Sequence, residues 1–253
     1  MKDLLLETGF RFAGDFIEIP SAINRVKIDV GLSVNAPQSQ NWLVNDDKLL
    51  VIGIEPLKSN IASIKKADTK WEIALNPIYL EDRMFILPIA LSDEIDKNGL
   101  TFYVTKDDPG CSSLLKPRNF EVLRTEIVPV YTLNELLRFF PFHIIPFIDH
   151  LKIDAQGSDL KILRGCSDFL KNIFAITIEI DSEEYEGTDN AIESVGEFLE
   201  GYGFKRFKPG LVSNIIMLAK GFRIDVETDD PTFINTSAQN LSKSRKFFIS
   251  QHG

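Results

Sequence analysis

The amino-acid sequence predicts an α/β fold built on a mostly parallel sheet with helices on both faces. Short β-branched runs alternate with segments of helical period from about residue 26 to residue 219, the pattern of strand–helix units that feed a parallel sheet. Several runs are apolar at every position, where a half-exposed strand would alternate, so both of their faces are covered. The 253 residues are 44% hydrophobic and 26% charged, enough for a sizeable core in one large domain with appendages.

The strands are read at VKIDV (26–30), LLVIGI (49–54), RMFILPIAL (83–91), HLKID (150–154), FAITIEI (174–180) and SNIIMLA (213–219). Helices are read over 57–67, 158–170 and 189–200. In the second of these, Leu160, Leu163 and Leu170 recur at helical spacing, Ser158 stands where a cap is needed, and Asp159 faces the helix dipole. The third ends at Gly201, with Gly203 just beyond. Between residues 92 and 131 the alternation breaks. There LTFYVT and EIVPVY flank the turn-rich DDPGCSS, which reads as an antiparallel insertion that shapes a substrate pocket. Residues 1–25 form an N-terminal extension. Residues 221–253 mix cancelling charges with few aliphatic side chains, the composition of a weakly attached tail or one late helix.

Lys+Arg 28 against Asp+Glu 37 gives a net charge of -9, without the cationic patch that a nucleic-acid partner requires. Leu4–Leu6 is too short for the apolar core of an export signal. The run from Phe139 to Ile148 is broken by Pro141 and Pro146 and falls short of a membrane span. A cytoplasmic protein with no membrane partner is expected. Cys111 and Cys166 form no C-x-x-C and read as reduced thiols. The sequence holds no readable signal for the oligomeric state.

Candidate site residues cluster where strands end. Asp29-Val30-Gly31 closes the first strong strand and turns toward a helix, bringing a carboxylate and backbone N–H groups to the carboxyl edge of the sheet, where ligands bind in such folds. Asp29 there suits a cationic ligand. The G-x-G-x-x-G of dinucleotide enzymes is absent, which disfavours a nicotinamide cofactor. Glu55 ends the second strand 24 residues beyond Gly31, a position from which an acid accepts hydrogen bonds from two ribose hydroxyls. As a strand-tip acid at the rim of an open crevice, it is expected to matter little for stability. Asp154 ends a central strand, and Gln156-Gly157 form the turn into the next helix. His143 and His150 lie on apolar backgrounds and read as packed side chains.

Seven segments taken in order resemble the FkbM family of S-adenosylmethionine-dependent methyltransferases over roughly residues 26–219. They are IDVGLSVNA (28–36), IGIEP (52–56), ALSD (90–93), CSSL (111–114), VYTLN (130–134), KIDAQGSDLKILRG (152–165) and IE (178–179). The resemblance implies a class I methyltransferase (Rossmann-like) fold, a seven-stranded sheet with the last strand antiparallel. It places S-adenosyl-L-methionine across the tips of the first two strands, with Asp29, Gly31, Ser33, Asn35, Glu55, Ala90 and Leu91 as cofactor-binding residues and Asp154 and Glu179 as catalytic ones. The implied acceptor is a hydroxyl of a small molecule or glycan.

The chain departs from the family pattern at Leu32, Ser33 and Asn35 in the first motif, at Asn134, and at Gln156, where the family has Glu. Asn35 replaces a glycine and tolerates a left-handed conformation better than other side chains. These departures define the alternative function, a non-catalytic binding or assembly module that keeps the fold. No metal site is assigned, although Asp154, Glu179 and Asp181 offer carboxylate oxygens of the kind Mg²⁺ takes.

Overall fold

The computed structural model describes residues 1–67, 73–180, 183–207 and 230–236 of the chain. In chain order its elements are α1 (Lys2–Glu7), β1 (Phe12–Ala13), β2 (Phe16–Ile17), β3 (Arg25–Val30), α2 (Pro37–Asn45), β4 (Leu49–Ile54), α3 (Lys58–Lys66), β5 (Met84–Leu87), β6 (Ala90–Leu91), β7 (Asp96–Thr105), β8 (Val122–Tyr131), α4 (Leu133–Leu137), β9 (Ile148–Ile153), α5 (Asp159–Arg164), β10 (Ile173–Ile178), α6 (Ile192–Gly201), β11 (Phe204–Arg206) and β12 (Thr232–Asn235). This is a mixed α/β fold on a large, mostly parallel sheet, as the sequence predicts. Seven strands make the sheet in the order β11-β12-β10-β9-β3-β4-β5. β3, β4, β5, β9 and β10 pair in parallel, while β12 runs against both of its neighbours.

Alternate residues of a strand go to opposite faces, and here both faces are covered. Leu50, Ile52 and Ile54 of β4 join Val26, Ile28 and Val30 of β3 in a core with Leu136 of α4, Leu163 of α5 and Leu199 of α6. On the other face Leu49 and Val51 pack with Trp42 and Leu43 of α2 and Ile64 of α3. Burying one such side chain stabilises by about 1.5–3 kcal/mol, so central strands apolar on two faces supply much of the driving force. The stretch Phe139–Ile148 joins this core through Phe140, Ile145 and Ile148. Among the described residues no helix is long and apolar enough to cross a membrane.

Three expectations change. The run 83–91 is two strands, because Pro88 has no N–H to continue a ladder. β6 beyond it leaves the main sheet and pairs with Val130 and Tyr131 of β8, which also pairs antiparallel with β7 to form the inserted hairpin. The helix read over 158–170 stops at Arg164, where Gly165 sits so close to Ser92 that an added Cβ would lie 2.2 Å from the Ser92 carbonyl oxygen. The strand read over 213–219 lies outside the described residues. Within 221–253, read as a tail or late helix, residues 232–235 instead form β12 inside the sheet. Its polar ends are satisfied there: Thr232 and Thr177 share a hydroxyl–hydroxyl hydrogen bond of 2.8 Å, and Asn235 Nδ2 donates to the Ile173 carbonyl at 3.2 Å.

At the carboxyl tips, β3 and β9 approach so closely that only glycine fits at position 31. Its φ is +81°, and an added Cβ would lie 1.9 Å from the Asp154 carbonyl oxygen. Gly31→Ala is therefore expected to destabilise by about 3 kcal/mol or more in urea unfolding, combining a backbone clash with left-handed strain. Gly196→Ala in α6, with nothing within 4 Å of the added Cβ, should stabilise by about 0.5–1 kcal/mol. Equal effects of the two substitutions would contradict this packing.

Candidate active site

The tips of β3, β4 and β9 and the loop after β7 enclose a cavity of about 240 Å³. From β3 and its turn come Gly31 and Ser33, and from the end of β4 come Glu55 and Leu57. Ala90 and Leu91 line it beside Glu55, and Asp154, Gln156 and Ser158 line it on the opposite side of β3. The inserted hairpin closes it with Phe102 and the 108–112 turn. Of the residues singled out by sequence, Gly31, Ser33, Glu55, Ala90, Leu91 and Asp154 thus meet at one cavity, whereas Asp29, Asn35 and Glu179 stand off its wall.

Asp29 is directed inward. Its Oδ2 accepts from Ser39 Oγ at 2.6 Å, and its Oδ1 lies 3.6 Å from Lys152 Nζ, so the cation it meets is the protein's own. Burial raises its pKa against the opposing pull of Lys152 and Ser39. Asn35 is not the left-handed residue of its turn; that conformation falls on Ser33 and Ala36. The Asn35 amide instead donates to the Ile73 carbonyl at 2.8 Å and pins the segment after α3. Asn134 is equally structural, accepting from the Asp168 backbone N–H at 3.3 Å.

Glu55 is 4% exposed, contrary to the expectation of a rim acid. Its Oε1 accepts from the Leu57 backbone N–H at 2.9 Å and from Asn60 Nδ2 at 3.2 Å. Burial outweighs these bonds and the one from the Ser33 backbone, and pushes its pKa up to about 8.

Across β3, Lys152 Nζ donates to Asp154 Oδ2 at 3.0 Å and to the Gly31 carbonyl at 3.3 Å. Gln156 Nε2 donates to Asp154 Oδ1 and to Glu179 Oε2, each at 2.8 Å. Burial alone would raise the Asp154 pKa, but Lys152 and the hydrogen bonds from Gln156 and Glu179 hold it below the usual range. Burial, followed by the negative Asp154, pushes the Glu179 pKa up to about 9. These two acids are thus satisfied by Lys152 and Gln156 and do not converge on an open ligand position; Asp181 lies outside the described residues. No step is assigned to a metal.

Sequence reasoning missed three parts of this arrangement. The hydroxyl of Tyr185, 1% exposed, lies 2.6 Å from Gln156 Oε1 and 2.9 Å from the Cys111 carbonyl, its single proton shared between these two acceptors, and joins the β9 turn to the hairpin loop. Ser113 Oγ donates to the Gln156 carbonyl at 2.7 Å. Ser158 makes no side-chain cap on α5. Asn190 takes that role, its Oδ1 accepting from the Leu160 backbone N–H at 2.8 Å, while Asp159 accepts from the Ala155 and Gly157 backbone N–H groups of the preceding turn at 2.8 and 3.1 Å and from Asn190 Nδ2. Burial raises the Asp159 pKa to about 7.

The methyltransferase FkbM domain matches residues 34–206 of the chain. The chain belongs to the FkbM methyltransferase family. Its solved structural neighbours include an antibiotic-related methyltransferase, at 14% identity and TM-score 0.32, covering 89% of this chain and 96% of the other. Another is a 30S ribosomal methyltransferase from an uncultured bacterium, at 12% identity and TM-score 0.28, covering 87% of this chain and 95% of the other. Membership of the FkbM family rests on the domain match alone. No curated protein matches the chain.

The buried acids of this FkbM protein set a pH dependence. Glu55, Asp159 and Glu179 bind protons more tightly folded than unfolded, so their stabilisation is complete below the ordinary carboxylate range and is lost as pH rises toward about 8, about 7 and about 9 respectively. Buried His150, whose pKa burial lowers from 6.5 to about 3, acts oppositely but only below about pH 6.5. Thermal stability is therefore expected to fall between about pH 6.5 and about pH 9, with a slope of up to about 1.4 kcal/mol per pH unit for each titrating group. Glu55→Gln, which keeps the accepting oxygen, should flatten the upper part of that fall. A wild-type profile that rises over the same range contradicts the assignment.

Proposed function

We propose that the protein is an S-adenosyl-L-methionine-dependent O-methyltransferase with a class I methyltransferase fold, acting on a hydroxyl of a small molecule or glycan. The observation that carries the reading is Glu55, a buried acid at the tip of β4 that faces a cavity spanning the tips of β3 and β4. An acid there suits the two hydroxyls of a ribose. Leu57, Ile89 and Leu91 offer apolar wall beside it for an adenine ring. Gly31 lets the β3 turn approach without a side chain in the way. The strand order, with reversed β12 one place from the edge, supports the class I reading.

Bound there, the cofactor supplies a methyl group already activated on a sulfonium. What remains for the protein is to hold the acceptor oxygen in line at near-attack distance. Asp154, on the far side of β3, accepts a hydrogen bond from the acceptor hydroxyl and orients it. Its carboxylate is held charged by Lys152 and Gln156, which suits an orienting acceptor better than a base that must take the proton. Glu179, behind Gln156 and protonated, is a positioning residue.

The reading as a non-catalytic module drew on Asn35, Asn134 and Gln156, of which the first two lie off the cavity and serve backbone packing. Only Gln156 touches the reacting region.

S-adenosylhomocysteine at 100 times its Kd is expected to stabilise the protein by about 2.7 kcal/mol. That corresponds to several degrees in Tm at about 2–4 °C per kcal/mol. No shift at millimolar ligand removes the cofactor reading. Glu55→Gln should weaken the same ligand by about 1.5–3 kcal/mol in calorimetry, the range for hydrogen bonds to a charged group. Because the hydroxyls are best accepted by ionised Glu55, wild-type affinity should rise from about pH 6 to about pH 8 while the variant stays flat. Unchanged affinity in the variant reassigns Glu55 to a purely structural role.

A further inference from the structure

Sites that take anions use helix starts, turn N–H groups and cationic side chains. Around this cavity those backbone donors are already occupied by the protein's own carboxylates. The Leu57 N–H before α3 donates to Glu55, the Gly110 N–H in the hairpin loop to Asp108 at 2.8 Å, and the Ala155 and Gly157 N–H groups before α5 to Asp159. No Lys, Arg or His is among the described residues lining the cavity, whose acidic side chains are Glu55, Asp108 and Asp154. Lys152, which reaches Asp154, is engaged by Asp29, Asp154 and the Gly31 carbonyl. A neutral polar group is on offer instead: Ser158 lines the cavity at 2% exposure, and its hydroxyl has no hydrogen-bond partner among the described residues. A buried hydroxyl left unsatisfied in this way is costly, and a bound hydroxyl compound would satisfy it.

We infer that the acceptor is a non-anionic hydroxyl compound, seated against Ser158 and Asp154, and that hydroxyl compounds bearing phosphate, sulfate or carboxylate within reach of the cavity are rejected. This rests on the methyltransferase reading above. In the transfer the acceptor oxygen forms its bond to the methyl carbon as the sulfur–methyl bond breaks, the electron pair passes to sulfur, and the hydroxyl proton leaves to water. The donor's own carboxylate is balanced by the ammonium on the same carbon. An anionic acceptor would set a like charge beside Asp108 and Asp154, with no cation among the described lining residues to offset it and with Lys152 already held by Asp29 and Asp154, the arrangement by which charged sites exclude wrong partners.

The test incubates the full chain with S-adenosyl-L-methionine carrying a deuterated methyl group and a deproteinised small-molecule cell extract, and identifies by mass spectrometry the compounds that gain the label. Anion exchange sorts the products by charge. Labelled product should be about ten-fold or more abundant in the fraction that the anion exchanger does not retain. Asp108→Lys should raise the retained share, and Ser158→Ala should lower total label while leaving S-adenosylhomocysteine affinity within about two-fold. Label chiefly in the retained fraction overturns the inference, as does a complete lack of label in a protein that binds S-adenosylhomocysteine. Failure to bind that ligand at all is a different result: it removes the methyltransferase reading and the inference with it.

Discussion

The site depends on one buried cation. Lys152 on β9 stands directly opposite Asp29 on β3 in the parallel register, and its ammonium lies between Asp29 and Asp154. Burial would lower its pKa, but the two carboxylates outweigh that and keep it charged. Each of the three charges would be costly alone in this environment, and together they are tolerable because each has its counterpart. Asp29 in turn binds Ser39, so α2 is tied to the same point, and Lys152 also holds the Gly31 carbonyl. The close approach of β3 and β9, the turn at Gly31 and the ionised state of Asp154 therefore follow from one arrangement.

That arrangement explains how the first turn accommodates its unusual sequence. With the Gly31 carbonyl fixed by Lys152, the chain reverses through left-handed Ser33 and Ala36 before Pro37 opens α2. Asn35 is released to hold the Ile73 carbonyl, and its own carbonyl accepts from the Leu75 backbone N–H at 2.8 Å. A strained conformation at Ser33 persists because neighbouring bonds over-determine it, its backbone N–H lying on Glu55. The two acids at adjacent strand tips therefore act differently. Asp29 braces the sheet from inside, while Glu55 braces the loops that frame the cavity.

What could be read from the sequence followed the physics of each element. β4 and β10 are almost wholly apolar, β3 and β9 each carry an apolar face (Val26, Ile28 and Val30; Leu151 and Ile153), all four are bounded by turns, and their positions were legible to within two residues. β12 was not, because TFIN is four residues long and half polar. Thr232 and Asn235 are buried only because Thr177 and the Ile173 carbonyl await them, and those partners lie 55 and 62 residues away. The meeting of Gly31, Glu55 and Asp154 was legible because strand tips in a parallel sheet share one edge. The inward turn of Asp29 was not, since it depends on the register that sets Lys152 opposite it. Ser158 carried a false signal: a serine before a helix usually caps it, but here the Leu160 N–H in the first turn of α5 donates to Asn190 Oδ1, 30 residues away, while Asp159 turns back to the Ala155 and Gly157 N–H groups of the preceding turn.

The pairing of charges also bears on what kind of catalyst this pocket can be. Asp154 is held ionised, Glu179 is held protonated behind it, and His150 packs far down β9 with its Nε2 on Thr177 Oγ1 at 2.8 Å. None of these three combines access to the cavity with a proton affinity matched to neutral pH; Glu55, which burial raises to about 8, lines the cavity at the β4 tip, across β3 from Asp154. An activated sulfonium donor needs no such base, since its leaving group departs as a neutral thioether and the acceptor proton can pass to water once the new bond has formed. A pocket whose charges are compensated within the protein, and whose remaining contacts are apolar walls and neutral hydroxyls, is suited to positioning two reactants more than to moving protons.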